Sequence, residues 1–151
     1  MKTWIHAAAG AIALLTVSAF WLSTAIVELL GDEAAITMVK NCVLASMAVL
    51  IPAMIVAGAS GFSLGKGWKS PVVARKRQRM RIIAANGLLV LVPSAYLLSS
   101  LADAGRFDTL FTIVQAIELT AGAVNIILLS LNMRDGLSLR SKPARLAARA
   151  R

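Results

Sequence analysis

Residues 34–59 carry the sequence AAITMVKNCVLASMAVLIPAMIVAGA, twenty-six residues with one charged side chain, Lys40. An α-helix rises about 1.5 Å per residue, so about 20 apolar residues cross the hydrocarbon core of a bilayer. Similar apolar blocks occupy residues 4–30, 82–101 and 110–133. Membrane-spanning strands would show short alternating segments instead of unbroken apolar runs. The sequence therefore predicts an all-α integral membrane protein, a four-helix bundle that runs up, down, up and down.

The composition supports this class. Of the 151 residues 58% are hydrophobic and 15% are charged, whereas soluble domains are about 45–50% apolar and about 25% charged. The net charge of +9 would suggest a nucleic-acid partner in a soluble protein. Here the basic residues flank the apolar blocks, so a membrane surface is the expected partner and nucleic acid is not. We expect one transmembrane domain, residues 1–133, followed by a basic tail, residues 134–151.

The positive charges also predict an orientation. Connections at residues 31–33 and 102–109 are short, while residues 60–81 form a longer basic loop whose opening stretch, residues 61–67, we expect to be flexible. Fourteen of the sixteen lysines and arginines lie at the N-terminus, in this loop or in the tail. Positive residues near span ends stay in the cytoplasm. The sequence predicts cytoplasmic termini, a bacterial inner membrane and anionic lipid at the basic loop.

Local signals refine the four spans. Pro52 and Pro93 each remove a backbone hydrogen bond and are predicted to interrupt their helices. Asp108 or Thr109 is a candidate cap for the last span. Residues 1–19 also resemble a secretory signal, but the apolar run continues past them, which favours a span over a cleaved leader.

The apolar blocks contain three charged residues: Glu28 near the end of the first block, and two deeper ones, Lys40 and Glu118. Such groups are costly in a membrane and mark functional sites by default. An ion pair between them is possible if the second and fourth spans touch. The last span also carries a stripe at helical spacing, which must face protein or water: Gln115, Glu118, Gly122, Asn125, Leu129 and Asn132. We predict a ligand or proton site at Glu118, Lys40, Gln115 and Asn125, with a helix-packing seam as the alternative.

A second polar group is predicted where His6, Asn86 and Asn125 could share one level of the bundle. The chain has a single histidine, which reads either as a hydrogen-bonded interfacial residue or as a haem b ligand. A six-coordinate haem would need Met54, Met133 or a second copy of His6 as its other ligand. A quinone is the other cofactor considered, and no metal-binding spacing of Cys and His is present.

Three functions remain open from the sequence. The segments outside the spans are too short for a catalytic domain and lack phosphate-binding or Ser–His–Asp patterns, which favours a protein that is not an enzyme. The first hypothesis is a ligand-binding or proton-linked transport unit around Glu118, in a homo-oligomer or larger membrane complex. The second is an electron-transfer subunit that holds haem b or quinone through His6. The third is a structural or assembly subunit of a membrane complex.

Overall fold

The computed structural model describes residues 2–65 and 71–149, with the side chains of residues 4–63 and 71–138. The described backbone is helical apart from two short connections and contains no strand. Its elements are α1 (Lys2–Leu30), α2 (Glu33–Gly65), α3 (Pro71–Asn86), a π-helical turn (Gly87–Leu91), α4 (Val92–Asp103) and α5 (Thr109–Arg149). Since α3, the π-helical turn and α4 follow without a break, they form one long helix. The predicted all-α class is confirmed.

Within the described residues, four helices are long and apolar enough to cross a membrane: Trp4–Leu30, Glu33–Ser63, Pro71–Asp103 and Thr109–Ser138. Their outer faces carry large apolar side chains that protein does not cover, such as Leu15, Leu22 and Leu89. A soluble monomer rarely exposes so much contiguous apolar surface. Length, composition and this exposed apolar surface together indicate a multi-pass membrane protein.

The basic segments are more regular than the sequence suggested. Residues 60–81 were expected to form a loop with a flexible opening at residues 61–67, whereas α2 extends to Gly65 and α3 begins at Pro71. Proline suits the first turn of a helix, and the Ala, Arg, Lys, Gln and Met residues that follow are strong helix formers. The Arg77 guanidinium lies 5.4 Å from the centre of the Phe62 ring, which joins this part of α3 to α2. The tail also continues α5 as a helix to Arg149.

Side-chain caps explain where two helices begin. Asp32 Oδ1 accepts a hydrogen bond of 2.8 Å from the backbone N–H of Ala35, at the start of α2. Asp108 Oδ1 accepts bonds of 3.1 and 3.2 Å from the backbone N–H groups of Leu110 and Phe111. These donors have no partner within their own helix, so the carboxylates satisfy them. Of the two candidates for the last cap, Asp108 fills the position.

The interruption predicted at Pro93 takes the form of the π-helical turn Gly87–Leu91 just before it. Proline has no N–H to give to the carbonyl four residues earlier, so the helix must change its hydrogen-bonding pattern nearby. Gly87 lies where the side chain of Asn125 approaches: a Cβ at this position would be 3.8 Å from Asn125 Nδ2. Pro52, by contrast, is contained within α2.

All five α-helices contribute to one buried apolar cluster, whose members are Ala13, Val17, Val43, Met47, Leu50, Ile83, Ala95 and Leu129. A second, smaller cluster contains Leu98, Leu101, Ala102 and Phe111. Lys40 falls on α2 just before the first cluster's Val43. Glu118 falls on α5 between Phe111 and Leu129, which belong to different clusters. The charged groups therefore lie between two apolar layers of the interior.

Candidate functional site

The side chain of Lys40 is the most buried charged group in the described part of the chain, with 1% of its surface exposed. Its Nζ donates a 2.9 Å hydrogen bond to Glu118 Oε2, which forms an ion pair between α2 and α5. Removing two charges from water costs several kcal/mol per ion, so such a pair is tolerated only with close contact. The structure thus brings together the two ionisable residues that the sequence placed inside the spans.

A third charged residue, Glu28, joins the pair from α1. Its Oε1 lies 3.9 Å from Lys40 Nζ, and its side chain is 22% exposed against 12% for Glu118. Sequence reasoning assigned Glu28 to the acids at the end of the first span and missed this contact. The signal was present in helix geometry, because side chains lean toward the start of their helix. Lys40 therefore leans back toward the 31–33 turn, while Glu28 leans away from it into the bundle.

Gln115 completes the site one turn before Glu118 on α5. Its Nε2 lies 3.5 Å from Glu118 Oε2, at the outer limit of a hydrogen bond, and the residue is 5% exposed. Its Oε1 is buried and has no hydrogen-bond partner among the described residues, and the same holds for Glu28 Oε1. Both unsatisfied atoms are acceptors. The group of Glu28, Lys40, Gln115 and Glu118, here called the Lys40 site, therefore lacks donors.

A cavity of about 40 Å³ adjoins the Lys40 site. Glu118 borders it, together with Thr24 and Trp21 of α1, and most of the remaining wall is apolar, including Leu50 and Leu91. A cavity of this size is large enough for at least one water molecule, and Glu118 and Thr24 supply polar groups at its wall. Leu91 is the last residue of the π-helical turn and lines the cavity, so this turn helps to shape the cavity beside Glu118.

Gly122 permits the close contact that its place on the polar stripe suggested. The indole of Trp21 lies against it, so that a Cβ at position 122 would be 3.0 Å from Trp21 Cδ1. Trp21 Nε1 donates a 2.8 Å hydrogen bond to the carbonyl of Leu119, one turn earlier on α5. This pairing fixes α1 against α5 directly below the Lys40 site.

The fourth predicted site residue, Asn125, contacts α3 instead of the Lys40 site. Asn86 Nδ2 donates 2.9 Å hydrogen bonds to Asn125 Oδ1 and to the carbonyl of Ala121. Asn125 Nδ2 lies 3.5 Å from the carbonyl of Ile83. The structure therefore brings together Asn86 and Asn125, and Asn125 lies two turns after Glu118 on α5. Asn132, the last member of the stripe, is buried with its amide unpaired among the described residues.

His6 lies against α2 and makes no contact with either asparagine that the structure describes. Its Nδ1 is 3.0 Å from the carbonyl of Ala57 and 3.2 Å from Ser60 Oγ. A Cβ at Gly61 would lie 2.9 Å from His6 Cε1, so the α2 backbone packs against the ring edge. This is the hydrogen-bonded histidine considered from the sequence.

A haem site at His6 is not completed by the described residues. Met54 packs against the larger apolar cluster, while Met133 is exposed. Neither the ring contacts nor these methionines supply the second iron ligand, so haem b or quinone at His6 stays a prediction. The described residues also hold no group of three or more His, Cys, Asp or Glu side chains that could bind a metal ion.

A polar group that sequence reasoning did not select lies beside Lys40, on the next position of α2. Asn41 Nδ2 donates a 2.7 Å hydrogen bond to Asp103 Oδ1, and Ser99 Oγ donates to Asn41 Oδ1. These bonds join α2 to α4.

No family model, no curated protein and no solved structure matches this chain.

Proposed function

We propose that this protein is a small membrane unit that binds a polar or cationic ligand, or couples transport to protons, at the Lys40 site. The observation that carries the proposal is the buried ion pair of 2.9 Å between Lys40 and Glu118. Ionisable residues in spans face the bundle interior, pair with one another and mark substrate or ion pathways. Glu28 adds a third ionisable group from a third helix, which is more than a single stabilising pair requires.

The arrangement supports two states of the site. In one state Lys40 pairs with Glu118, which corresponds to the 2.9 Å contact between Lys40 Nζ and Glu118 Oε2. In the other, Glu118 takes up a proton or ligand from the neighbouring cavity and Lys40 moves the short distance to Glu28, which lies 3.9 Å away. A ligand that interacts differently with these two states would shift the equilibrium between them. A cycle of this kind is what a transport or binding unit needs.

The proposed arrangement in the membrane is an up-down-up-down bundle with both termini in the cytoplasm of a bacterium. The lysines and arginines at the N-terminus, in residues 66–81 and in the tail support it, since positive residues flank the cytoplasmic ends of spans. Exposed arginines of α3, such as Arg75 and Arg81, would then meet anionic lipid head groups. Four spans enclose little space, so we expect a homo-oligomer or a larger complex.

A proton flux assay with Glu118→Gln tests the proposal. In liposomes that contain a pH-sensitive dye, a potassium diffusion potential should drive proton entry through the wild type. We expect at least a tenfold loss of this flux in Glu118→Gln, because the amide cannot exchange a proton. The variant should still insert and fold, since Glu28 can take over as the partner of Lys40.

The matched control is Glu33→Gln, an exposed acid in the first turn of α2, which should keep the flux of the wild type. A wild-type flux no greater than that of protein-free liposomes would count against proton transport. If a ligand binds but no proton flux is observed, the proposal of a binding unit stands and the proposal of proton-coupled transport is refuted.

A structural or assembly role is the second candidate, and the hydrogen bonds of Asn86 favour it. These bonds join α3 to α5 in a manner typical of interhelical contacts in membranes. Under this alternative, Glu118→Gln would reduce assembly of the protein to the extent that it reduces any activity. A loss of flux with an unchanged elution volume in detergent would therefore separate the two candidates.

A further inference from the structure

The Lys40 site contains more negative than positive charge. Its ionisable members are two carboxyl groups, Glu28 and Glu118, and one ammonium group, Lys40. A carboxylate oxygen of each glutamate lies within 3.9 Å of Lys40 Nζ. If every group were ionised, the site would carry one net negative charge inside the membrane. An isolated charge in low dielectric is expensive, and such sites take up a counter-charge or neutralise one group.

The hydrogen-bonding inventory shows the same deficit. Glu28 Oε1 and Gln115 Oε1 are buried acceptors without a donor among the described residues. Lys40 Nζ is the donor that serves Glu118, and Gln115 Nε2 reaches the same carboxylate oxygen at 3.5 Å. Buried polar atoms without partners cost free energy comparable to a lost hydrogen bond. What the site lacks is thus a positive charge that also donates a hydrogen bond.

The space available restricts what can supply it. The adjoining cavity of about 40 Å³ accommodates a water molecule, whereas drug-sized ligands occupy pockets of roughly 300–1,000 Å³. An organic amine therefore does not fit without movement of the helices. A proton on one carboxyl group needs no added volume, removes the excess charge and provides the missing donor.

We infer that the Lys40 site holds one proton, shared between Glu28 and Glu118, and that the proton is the ion to which this protein responds. In the transfer step, the O–H bond of one carboxyl group breaks and an O–H bond forms on the other. Lys40 keeps its three hydrogens and changes its carboxylate partner. The response to protons rests on the proposed function, whereas occupancy of the site by one proton does not.

The two carboxyl groups have different access to water. Glu28 is the more exposed of the two and lies three residues before the 31–33 turn. Glu118 borders the cavity that extends toward Leu50 and Leu91. Glu28 therefore exchanges its proton with the solution beyond the turn, and Glu118 exchanges with the cavity. Lys40 stands between these two routes.

Infrared spectroscopy of the protein in lipid membranes tests this inference, because a protonated carboxyl group absorbs apart from a carboxylate. At neutral pH exposed carboxyl groups are ionised, so we expect a band equivalent to about one protonated carboxyl per chain. Glu28→Gln and Glu118→Gln should each abolish this band, since one carboxylate then balances Lys40. Lys40→Gln should roughly double it, since both carboxyl groups must then be neutral. Glu33→Gln, the surface control, should leave it unchanged.

Two results would overturn the inference: a wild type without the band at neutral pH, or a band that persists in both Glu28→Gln and Glu118→Gln. Displacement of the proton by sodium or potassium at constant pH would likewise overturn it, because the site would then select an alkali cation. If one glutamine variant fails to fold, the other and Lys40→Gln still decide the outcome. A band without proton flux would refute transport but leave the proton site supported. Proton flux without the band would refute the proton site but leave transport supported.

Discussion

Gly122 is a residue at which one added carbon would disturb the packing of α1 against α5. In Gly122→Ala the new Cβ would stand 3.0 Å from Trp21 Cδ1, so the indole must shift and weaken its 2.8 Å bond to the Leu119 carbonyl. Overpacking of this kind costs about 1–3 kcal/mol. We expect a lower midpoint of thermal unfolding in detergent and a change in Trp21 fluorescence.

Gly58 provides the matched control on α2. A Cβ there would meet no atom within 4 Å, and alanine is the better helix former. Gly58→Ala should therefore leave the unfolding midpoint unchanged or raise it. An equal loss of stability in both variants would show that the contact with Trp21 is not the cause.

Residues also show how far the candidate site followed from the sequence. The pairing of Lys40 with Glu118 could be predicted, because both are ionisable residues in apolar blocks and must find partners in the interior. The contribution of Glu28 was missed, since its position near a span end is equally compatible with a surface acid. Asn125 was predicted both for the group around Glu118 and for a level shared with Asn86, and the structure shows its hydrogen bond with Asn86. A stripe along α5 places residues on one face of the helix, but which neighbouring helix covers each turn depends on tertiary packing.

The N-terminal cap of α5, Asp108, lies outside the membrane-spanning segment and makes the stability of the protein depend on pH. A hydrogen bond from Arg106 holds the pKa of Asp108 below its usual value, and the backbone N–H groups of Phe111 and Leu110 add to the effect. A carboxyl group whose pKa is lower in the folded state stabilises the fold at any pH above its unfolded pKa. That contribution is lost as the pH falls through the folded value.

We therefore expect Asp108→Asn to flatten the acid limb of the stability profile, measured as the unfolding midpoint against pH in detergent. Asparagine keeps the capping oxygen, so the variant should retain much of the cap at neutral pH. Asp32→Asn serves as a comparison at the start of α2, since Asp32 Oδ1 caps that helix through Ala35 N–H. A profile of Asp108→Asn that matches the wild type below neutral pH would exclude Asp108 as the group responsible.

Helices were predicted correctly where a continuous apolar run along the sequence determines them, and less well elsewhere. Four apolar blocks of membrane-crossing length gave four helices, because the backbone in lipid must satisfy its own hydrogen bonds. The loop expected at residues 60–81 is helical in the part that the structure describes, where α2 extends to Gly65 and α3 begins at Pro71. Basic and glycine-containing composition says little about helicity on its own. The π-helical turn before Pro93 has no distinct pattern in the sequence beyond the proline itself.

The molecule as a whole carries its basic residues unevenly, and this distribution predicts its orientation. Cysteine labelling with a membrane-impermeant maleimide in intact bacteria measures it, on a background in which Cys42 is replaced by serine. Asp32→Cys should react from outside the cell, while Arg75→Cys should react only after permeabilisation. Arg106→Cys should behave like Asp32→Cys because it lies in the other short connection. Labelling of Arg75→Cys in intact cells would contradict cytoplasmic termini.

The bond between Trp21 and the Leu119 carbonyl gives the protein an internal optical reporter. The indole contacts Leu119, the residue after Glu118, and also lines the water-sized cavity. Its emission wavelength therefore depends on the local field and hydration. Replacing the other two tryptophans, Trp4 and Trp68, by phenylalanine leaves one chromophore at the centre of the bundle. Events at Glu118 could then be followed by fluorescence in real time, without attaching a dye.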